Sequence, residues 1–279
     1  ASFDRHAKHP ELSHDQLTFL QSVEAQTANA RQGVFLWNIE SYADIETPPR
    51  EFPGPVSSLY SVAAGFKPNR IIQTHGVDRE TRVVYFDYSH RALEIKRCIV
   101  EEWDGEDFCQ FVKYLFRKFP YPDTFYQLWD DRTPEDVDWR DVEAICDREL
   151  ERWGGPGKLR DHWRVYRTLP HEYICCNLLS DPSPLLAQIA NQPSAVIWWS
   201  NAFFTVYGNW FHSLDERKRV YDRWIEGLAN ANSQLYLYGS DYNNINVNSI
   251  QAGEYWEQFR QLDGDGLVPC KLFETEVRM

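Results

Sequence analysis

Five short apolar runs recur along this chain, and each is followed by small or polar residues. Their apolar residues are continuous rather than alternating, which is typical of strands that are buried on both faces. Segments with helical periodicity separate the runs. This succession indicates an α/β fold with an open, Rossmann-like, mostly parallel sheet and helices on both faces. The predicted strands are 58–64, 81–86, 172–176, 194–199 and 234–238.

Two segments stand outside this alternation. Residues 1–55 contain one predicted helix, which begins at a capping box of Ser13 and Gln16, and one predicted strand over 33–39. Residues 104–170 are helical, aromatic and acidic. We therefore expect an N-terminal helical and strand extension, 1–55, and a Rossmann-like domain, 56–279, with a helical insertion, 104–170. We also expect a helix that starts at Thr133–Pro134 and one or two closing strands over 267–277.

The charge of the chain restricts its partners. The 42 acidic and 29 basic residues give a net charge of −13, which argues against a nucleic-acid binder. Residues 104–151 hold 14 acidic and 6 basic residues. This acidic insertion is either a solvated helical cap or a surface for a protein partner. No run of about 18 apolar residues is present, so we expect no membrane span.

The cysteines indicate a reducing compartment. The six residues have neither the C-x-x-C spacing nor the histidine neighbours of a zinc site. We expect free thiols and a cytoplasmic protein. The residues Ala1–Pro10 are polar, unlike a signal peptide. Because the chain starts at Ala1 and its single methionine is Met279, we expect a processed chain or a domain of a longer protein.

In an open parallel sheet, ligands bind outside the carboxyl ends of the strands. The loops at these ends are 64–68, 87–90, 177–181, 200–207 and 239–244, and all carry small or polar residues. Ala63-Ala64-Gly65 follows the first sheet strand, and Asp87 lies 22 residues after Gly65. A separation of roughly 20 residues is usual between a glycine loop and the acid that binds a ribose.

This layout resembles the class I S-adenosylmethionine-dependent methyltransferases. In that family a glycine loop follows the first strand, and an acidic residue after the second strand binds both ribose hydroxyls. A polar residue after the third strand holds the adenine, and the loop after the fourth strand faces the methyl group. The resemblance covers about 58–103 and 172–240. It implies that S-adenosylmethionine is bound by Ala64, Gly65, Phe66, Asp87, Tyr88, Asn177, Leu178 and Ser200.

The catalytic candidates are His212, Asn201 and Asp241. A histidine that titrates near neutrality suits a general base, and His212 lies near the loop after the fourth strand. His75, His90 and His171 are alternatives. Asn201 would orient an amide or hydroxyl of the acceptor, and the polar loop that starts at Asp241 would bind a polyol or sugar. Aromatic residues around Trp198–Trp210 would form the wall of the acceptor pocket.

Three functions remain open. The first is a methyltransferase acting on O or N of a polar small molecule or a glycan, without a metal. The second is a nucleotide-sugar-dependent transferase, in which Asp87 binds the sugar-nucleotide ribose or a metal. A D-x-D sequence occurs at Asp263 and Asp265, but in a Gly-rich segment rather than at a strand end. The third is a non-catalytic, methyltransferase-like scaffold domain that binds a basic partner through the acidic insertion.

Overall fold

The computed structural model of the chain describes residues 12–31, 33–38, 40–120, 123–127, 138–205 and 211–261. Several predicted features lie outside these described residues: the helix start at Thr133–Pro134, the closing strands over 267–277, the pair Asp263 and Asp265, and the aromatic residues Tyr207 and Trp210.

The described elements alternate between strands and helices over most of the chain. The strands are β1 (Gly33–Phe35), β2 (Ser58–Val62), β3 (Arg82–Asp87), β4 (Phe125–Gln127), β5 (His171–Cys175), β6 (Val196–Trp198), β7 (Tyr236–Ser240) and β8 (Asn246–Gln251). The helices are α1 (His14–Arg31), α2 (Lys67–His75), α3 (His90–Glu102), α4 (Phe108–Lys118), α5 (Trp139–Trp153), α6 (Pro156–Tyr166), α7 (Ser183–Leu186), α8 (Leu214–Ala231) and α9 (Ala252–Arg260). A short 3-10 turn spans Ala43–Ile45.

Six strands form one sheet in the order β5-β3-β2-β6-β7-β8. The first five are mutually parallel, and β8 runs antiparallel to β7. Numbered along the chain, these strands have the order 3-2-1-4-5-6, which is that of doubly wound nucleotide-binding sheets. The structure thus confirms the predicted Rossmann-like α/β fold with a mostly parallel sheet. A separate pair of parallel strands joins β1 of the N-terminal extension to β4 of the insertion.

The centre of the sheet is apolar on both faces. Every residue of β2 is buried, and in β3 the four residues from Val83 to Phe86 have no exposed surface. Residues from both sides of the sheet join one continuous hydrophobic core. Burial on both faces explains why the sequence of these strands lacks alternation.

Helices α1, α3 and α8 begin at side-chain caps, and α1 begins at the predicted capping box. The Ser13–Gln16 and Ser213–Glu216 boxes are formed in both directions, side chain to backbone amide. The hydroxyl of Ser89 accepts a hydrogen bond from the amide of Ala92 and caps α3. These caps satisfy amide groups that have no partner inside the helix.

Some elements differ from the sequence prediction, and strand β4 lies in the insertion that was predicted to be helical. Strand β8 was missed, because its asparagines resemble turn residues and its pairing with β7 is interrupted by a bulge at Leu237–Tyr238. Helix α7, which follows β5, has only four residues. The carbonyl groups of Ala190 and Gln192 accept hydrogen bonds from Asn232 there, instead of continuing a helix. Strand β1 ends at Phe35, where the chain turns towards α2.

Within the described residues, no helix combines the length and the apolar character needed to cross a bilayer.

Candidate functional site

A cavity of about 200 Å³ lies at the carboxyl ends of the parallel strands, where the strand order reverses between β2 and β6. This is the position at which open α/β sheets bind their ligands. The cavity has two walls from different parts of the chain. The first, called here the strand-end wall, includes Ala64, Asp87, Tyr88, Asn177, Leu178, Ser200 and Asn201. The second, the N-terminal wall, consists of Phe35, Trp37, Asn38 and Glu40.

The strand-end wall contains seven of the residues that the sequence predicted for the site. They follow four different strands, β2, β3, β5 and β6, and the parallel sheet brings them to one edge. The remaining lining is largely apolar and includes Val62, Phe86, Leu179 and Trp199. The cavity therefore combines apolar walls with a few polar groups, as small-molecule sites do.

Asp87 is the last residue of β3 and contributes a carboxylate to this wall. One carboxyl oxygen accepts a hydrogen bond from the amide of Ser89 at 2.9 Å, and the other accepts one from the amide of Ala63 at 3.3 Å. Burial raises the pKa of this carboxyl to about 6, although the two amide bonds and the charge of Lys96 oppose the increase. Each oxygen keeps further acceptor capacity for a ligand hydroxyl.

Lys96 lies beneath the loop after β2. Its ammonium group is buried and donates a hydrogen bond to the carbonyl of Gly65 at 2.7 Å. Burial lowers the pKa of Lys96 to about 7, and the nearby charge of Asp87 acts in the opposite direction. Lys96 thus fixes the backbone of the glycine loop from behind, and it is not part of the cavity lining.

Asn38 of the N-terminal wall covers the start of α2. Its side-chain oxygen accepts a hydrogen bond from the amide of Lys67 at 2.7 Å, which is the first residue of the helix. Gly65 has a φ of +50°, and a Cβ atom at this position would overlap the Asn38 amide group. Because Gly65 has no side chain, Asn38 packs directly against its backbone. The space in front of Gly65 is therefore filled by a protein side chain and is not open to a ligand.

Further contacts hold the N-terminal wall in place. The amide of Gly65 donates to the carbonyl of Phe35 at 3.0 Å. Lys67 forms a buried ion pair with Asp44 at 2.8 Å. The hydroxyl of Tyr42 donates to Glu149 of α5 at 2.7 Å, so the insertion supports this wall from outside. No described residue of 104–170 lines the cavity itself.

Glu40 joins the two walls. Its carboxylate accepts a short hydrogen bond from the hydroxyl of Ser200, which follows β6. The carbonyl of Ser200 in turn accepts hydrogen bonds from the amide and the hydroxyl of Ser240, the last residue of β7. Ser200 has a φ of +54°, a left-handed conformation that is uncommon for a serine. Its position is thus fixed by a neighbouring strand.

Asn177 and Asn201 lie in the strand-end wall, and Asn177 uses part of its hydrogen-bonding capacity locally. The side-chain oxygen of Asn177 accepts a bond from the amide of Leu179 at 3.0 Å and closes a turn after β5. The side-chain oxygen of Asn201 lies 3.4 Å from the hydroxyl oxygen of Ser200, whose one proton is donated to Glu40.

Four predicted site residues lie outside the described lining. Gly65 is separated from the cavity by Asn38. Phe66 is buried in the core, with its ring 4.8 Å from that of Phe108. Asp241 is buried in the turn between β7 and β8, where it accepts hydrogen bonds from the amides of Asn243 and Ile245. His212 precedes α8 and does not reach the cavity.

The other histidine candidates also lie elsewhere. His75 is buried and shares a hydrogen bond of 2.8 Å with the hydroxyl of Tyr238. His171 lies on β5 and bonds the carbonyl of Leu169 at 2.7 Å. Burial lowers the pKa of both histidines to about 4, so they are neutral at pH 7. His90 is exposed at the start of α3. None of these three is part of the described lining.

In the part of the chain that the structure describes, no three His, Cys, Asp or Glu side chains are arranged to hold a metal ion. The five cysteines described are free, and four of them are buried.

Comparison with known proteins adds no family assignment. No protein-family model matches the chain, and no curated protein matches its sequence significantly.

Sequence reasoning missed the N-terminal wall. Trp37, Asn38 and Glu40 were placed in or beside an extended strand, 33–39, although β1 ends at Phe35. The sequence carries one indication of this wall, because polar residues follow the apolar run 33–37 as they follow the other predicted strands. The rule for strand ends does not cover this run, since β1 does not belong to the six-stranded sheet.

Proposed function

We propose that the cavity binds S-adenosylmethionine and that the protein is a methyltransferase acting on O or N of a small molecule. The observation that carries this proposal is the charge of the cavity. Its charged lining residues, among those described, are the carboxylates Asp87 and Glu40, and none of the lining residues is basic. A cavity with this lining attracts a cation and repels an anion.

The covered start of α2 supports the same choice. Helix N-termini in doubly wound folds bind phosphate groups through free backbone amides. Here the first amide of α2, that of Lys67, is bonded to Asn38. A dinucleotide or a nucleotide sugar would bring a pyrophosphate to a position where the first amide of the helix is already bonded and where the ammonium group of Lys67 is paired with Asp44. The nucleotide-sugar alternative is therefore disfavoured.

Asp87 suits the ribose of the nucleoside. It ends the strand next to β2, and its carboxylate oxygens are oriented by backbone amides. A carboxylate held in this way accepts hydrogen bonds from two neighbouring hydroxyl groups. Asn177 and Leu178 follow the next strand and would border the base.

The aromatic side chains suit a sulfonium. Trp37, Trp199, Phe35 and Tyr88 are among the lining residues. A cation against such a ring gains about 0.5–2 kcal/mol. When bound, S-adenosylmethionine supplies a methyl group on a positively charged sulfur. The contribution of the protein is to orient the two reactants in line and to keep water away, which does not require a histidine base.

Binding of S-adenosylhomocysteine and S-adenosylmethionine, measured by calorimetry, tests the proposal. Asp87→Asn is expected to weaken binding by about ten- to a hundredfold, because hydrogen bonds to a charged group are lost. Asp181→Asn is the matched control. Asp181 also accepts a bond from the amide two residues later, that of Ser183, but it is exposed and lies outside the lining.

Three outcomes would contradict the proposal. They are failure of the wild-type protein to bind either nucleoside, equal loss in the two variants, and tighter binding of UDP-glucose with Mg²⁺ than of S-adenosylhomocysteine. The last result would restore the nucleotide-sugar alternative. Absence of all binding, with a protein retained in pull-downs, would favour the scaffold alternative.

A further inference from the structure

Glu40 differs from the other acidic groups near the N-terminal wall. Asp44 is paired with Lys67, and Glu149 is paired with Arg152 at 3.3 Å. Glu40 forms no ion pair with any described residue, and its hydrogen-bond donor is the neutral hydroxyl of Ser200. Among the described residues, its negative charge therefore has no cationic partner at the surface of the cavity.

The surroundings of Glu40 increase the effect of this charge. Trp37, Trp199 and Ala202 lie in the same lining, so the carboxylate is next to apolar surface. Charges interact more strongly in such surroundings than in water. A carboxylate that is partly desolvated and unpaired gains most from a ligand that brings a positive charge or several N–H donors.

Glu40 and Asp87 lie at different ends of the cavity. Asp87 ends β3, whereas Ser200, which holds Glu40, follows β6. Strand β2 lies between these two strands. With about 4.8 Å between neighbouring strands, the ends of β3 and β6 are about 10 Å apart. One carboxylate is thus available for the ribose and the other for a second ligand.

We infer that Glu40 binds the acceptor and that the acceptor is an organic amine with an apolar body. This inference names the substrate class of the methyltransferase proposed above and rests on that proposal. The amine nitrogen donates hydrogen bonds to Glu40, and the apolar body lies against Trp37 and Trp199. Before transfer, the bound ammonium would lose one proton to water; its nitrogen would then form the N–CH3 bond as the S–CH3 bond breaks, with S-adenosylhomocysteine as the leaving group. The methylated product carries a positive charge, which the carboxylate of Glu40 stabilises.

Ser200 is a positioning residue for Glu40. It donates a hydrogen bond to the carboxylate, and its own backbone is fixed by two bonds from Ser240. Ser200 has a left-handed backbone conformation, with a φ of +54°. Serine rarely adopts this conformation unless the surrounding structure imposes it.

The test uses three probes of nearly equal shape: 2-phenylethylamine, 2-phenylethanol and phenylacetate. Their binding to the full chain is measured by calorimetry, with and without saturating S-adenosylhomocysteine. The amine is expected to bind about tenfold or more tightly than the alcohol, as for a hydrogen bond to a charged group. Phenylacetate is expected not to bind, because two carboxylates repel it.

Glu40→Gln is expected to reduce amine affinity about tenfold or more. Glu46→Gln, in the same segment but exposed, is the matched control and is expected to bind like the wild type. Equal affinity for the three probes, no binding of the amine, or an unchanged Glu40→Gln variant would overturn the inference. The ranking of the probes on the wild type needs no variant, so the test holds even if Glu40→Gln does not fold.

The two proposals fail in different ways. If S-adenosylhomocysteine binds and the amine does not, the methyltransferase proposal stands and the amine site is wrong. If the amine binds and depends on Glu40 while S-adenosylhomocysteine does not bind, the amine site stands and the methyl donor is wrong.

Discussion

The two walls of the cavity are built in different ways. Residues of the strand-end wall follow parallel strands, so the topology of the sheet alone brings them together. The N-terminal wall comes from outside this sheet and is held by individual polar contacts: Asn38 on α2, Lys67 with Asp44, and Tyr42 with Glu149. The geometry of the first wall therefore depends on the fold, whereas the geometry of the second depends on a few side chains.

The largest effect is expected from breaking the ion pair that anchors the N-terminal wall. Lys67→Met leaves the carboxylate of Asp44 buried without a cation, and Lys67 also loses its hydrogen bond to the carbonyl of Ser41. Removing one partner of a buried pair costs about 3–5 kcal/mol of the free energy of unfolding. Urea denaturation followed by circular dichroism measures the loss.

Lys118→Met is the matched control for this prediction. Lys118 is paired with Glu102, but both side chains are more than one third exposed, at 37% and 38%. Exposed pairs contribute little to stability. Similar losses in the two variants would show that the N-terminal wall does not depend on its buried ion pair.

The next effect concerns the contact between the two walls at Gly65. Gly65→Ala introduces a Cβ atom that overlaps the Asn38 side chain, at a residue with a φ of +50°. Backbone strain and overpacking together are expected to cost about 2–4 kcal/mol. In the Asn38→Gly background the overlap is absent, so the cost should fall to about 1–2 kcal/mol. Chemical denaturation of the four proteins in this double-mutant cycle gives the coupling between the two residues.

Gly154→Ala separates strain from overlap. Gly154 has a φ of +75° after α5, and the nearest atoms to an added Cβ belong to the flexible side chain of Lys158. Gly154→Ala should reduce the free energy of unfolding by the same amount as Gly65→Ala does in the Asn38→Gly background. If the cycle shows no coupling, the Asn38 side chain does not fill the approach to Gly65.

The difference between the walls also explains what the sequence could predict. The sheet was predicted because its strands are continuous apolar runs, and Asp87, Asn177, Ser200 and Asn201 were found because they follow these runs. Their meeting at one edge follows from parallel topology. Neither step required knowledge of a tertiary contact.

The remaining site residues required tertiary contacts that no local pattern encodes. Whether Gly65 faces a ligand or a side chain depends on Asn38, which lies 27 residues earlier in the chain. Phe66 belongs to an aromatic cluster that the insertion completes. Asp241 resembles a site residue in sequence, but its carboxylate serves the turn before β8. Long-range packing therefore decided which polar residues reach the cavity.

The third effect, on pH dependence, belongs to the strand-end wall. Burial raises the pKa of Asp87 to about 6, and we propose that the ionised form accepts ribose hydroxyls. Adenosine affinity should therefore fall as the pH decreases through 6, by about tenfold between pH 7 and pH 5. Adenosine is a suitable probe because none of its groups changes charge in this range. Calorimetry at four pH values measures the change.

Two variants show which group causes this pH dependence of adenosine affinity. Asp87→Asn should bind adenosine weakly and equally at every pH. Lys96 has a pKa that burial lowers to about 7, so it also changes charge near the upper end of the range. Lys96→Met should keep the loss of affinity if Asp87 is responsible, with its midpoint moved to higher pH, because the charge of Lys96 lowers the pKa of Asp87. A dependence that persists in Asp87→Asn would contradict the assignment.

The smallest effect is expected from opening the start of α2. Asn38→Gly frees the amide of Lys67, to which Asn38 is bonded in the native protein, and removes the side chain that separates Gly65 from the cavity. A helix N-terminus attracts a negative charge by about 0.3–1 kcal/mol, so the affinity of ADP relative to adenosine should increase by about two- to fivefold. The gain stays small because Asp87 and Glu40 still repel a phosphate.

Competition between the two ligands, measured by calorimetry on the wild type and the variant, gives this ratio directly. Asn201→Gly is the control from the strand-end wall. An unchanged ratio would mean that the charge of the cavity, rather than the covered helix, excludes phosphate, and specificity would then belong to the carboxylates of both walls.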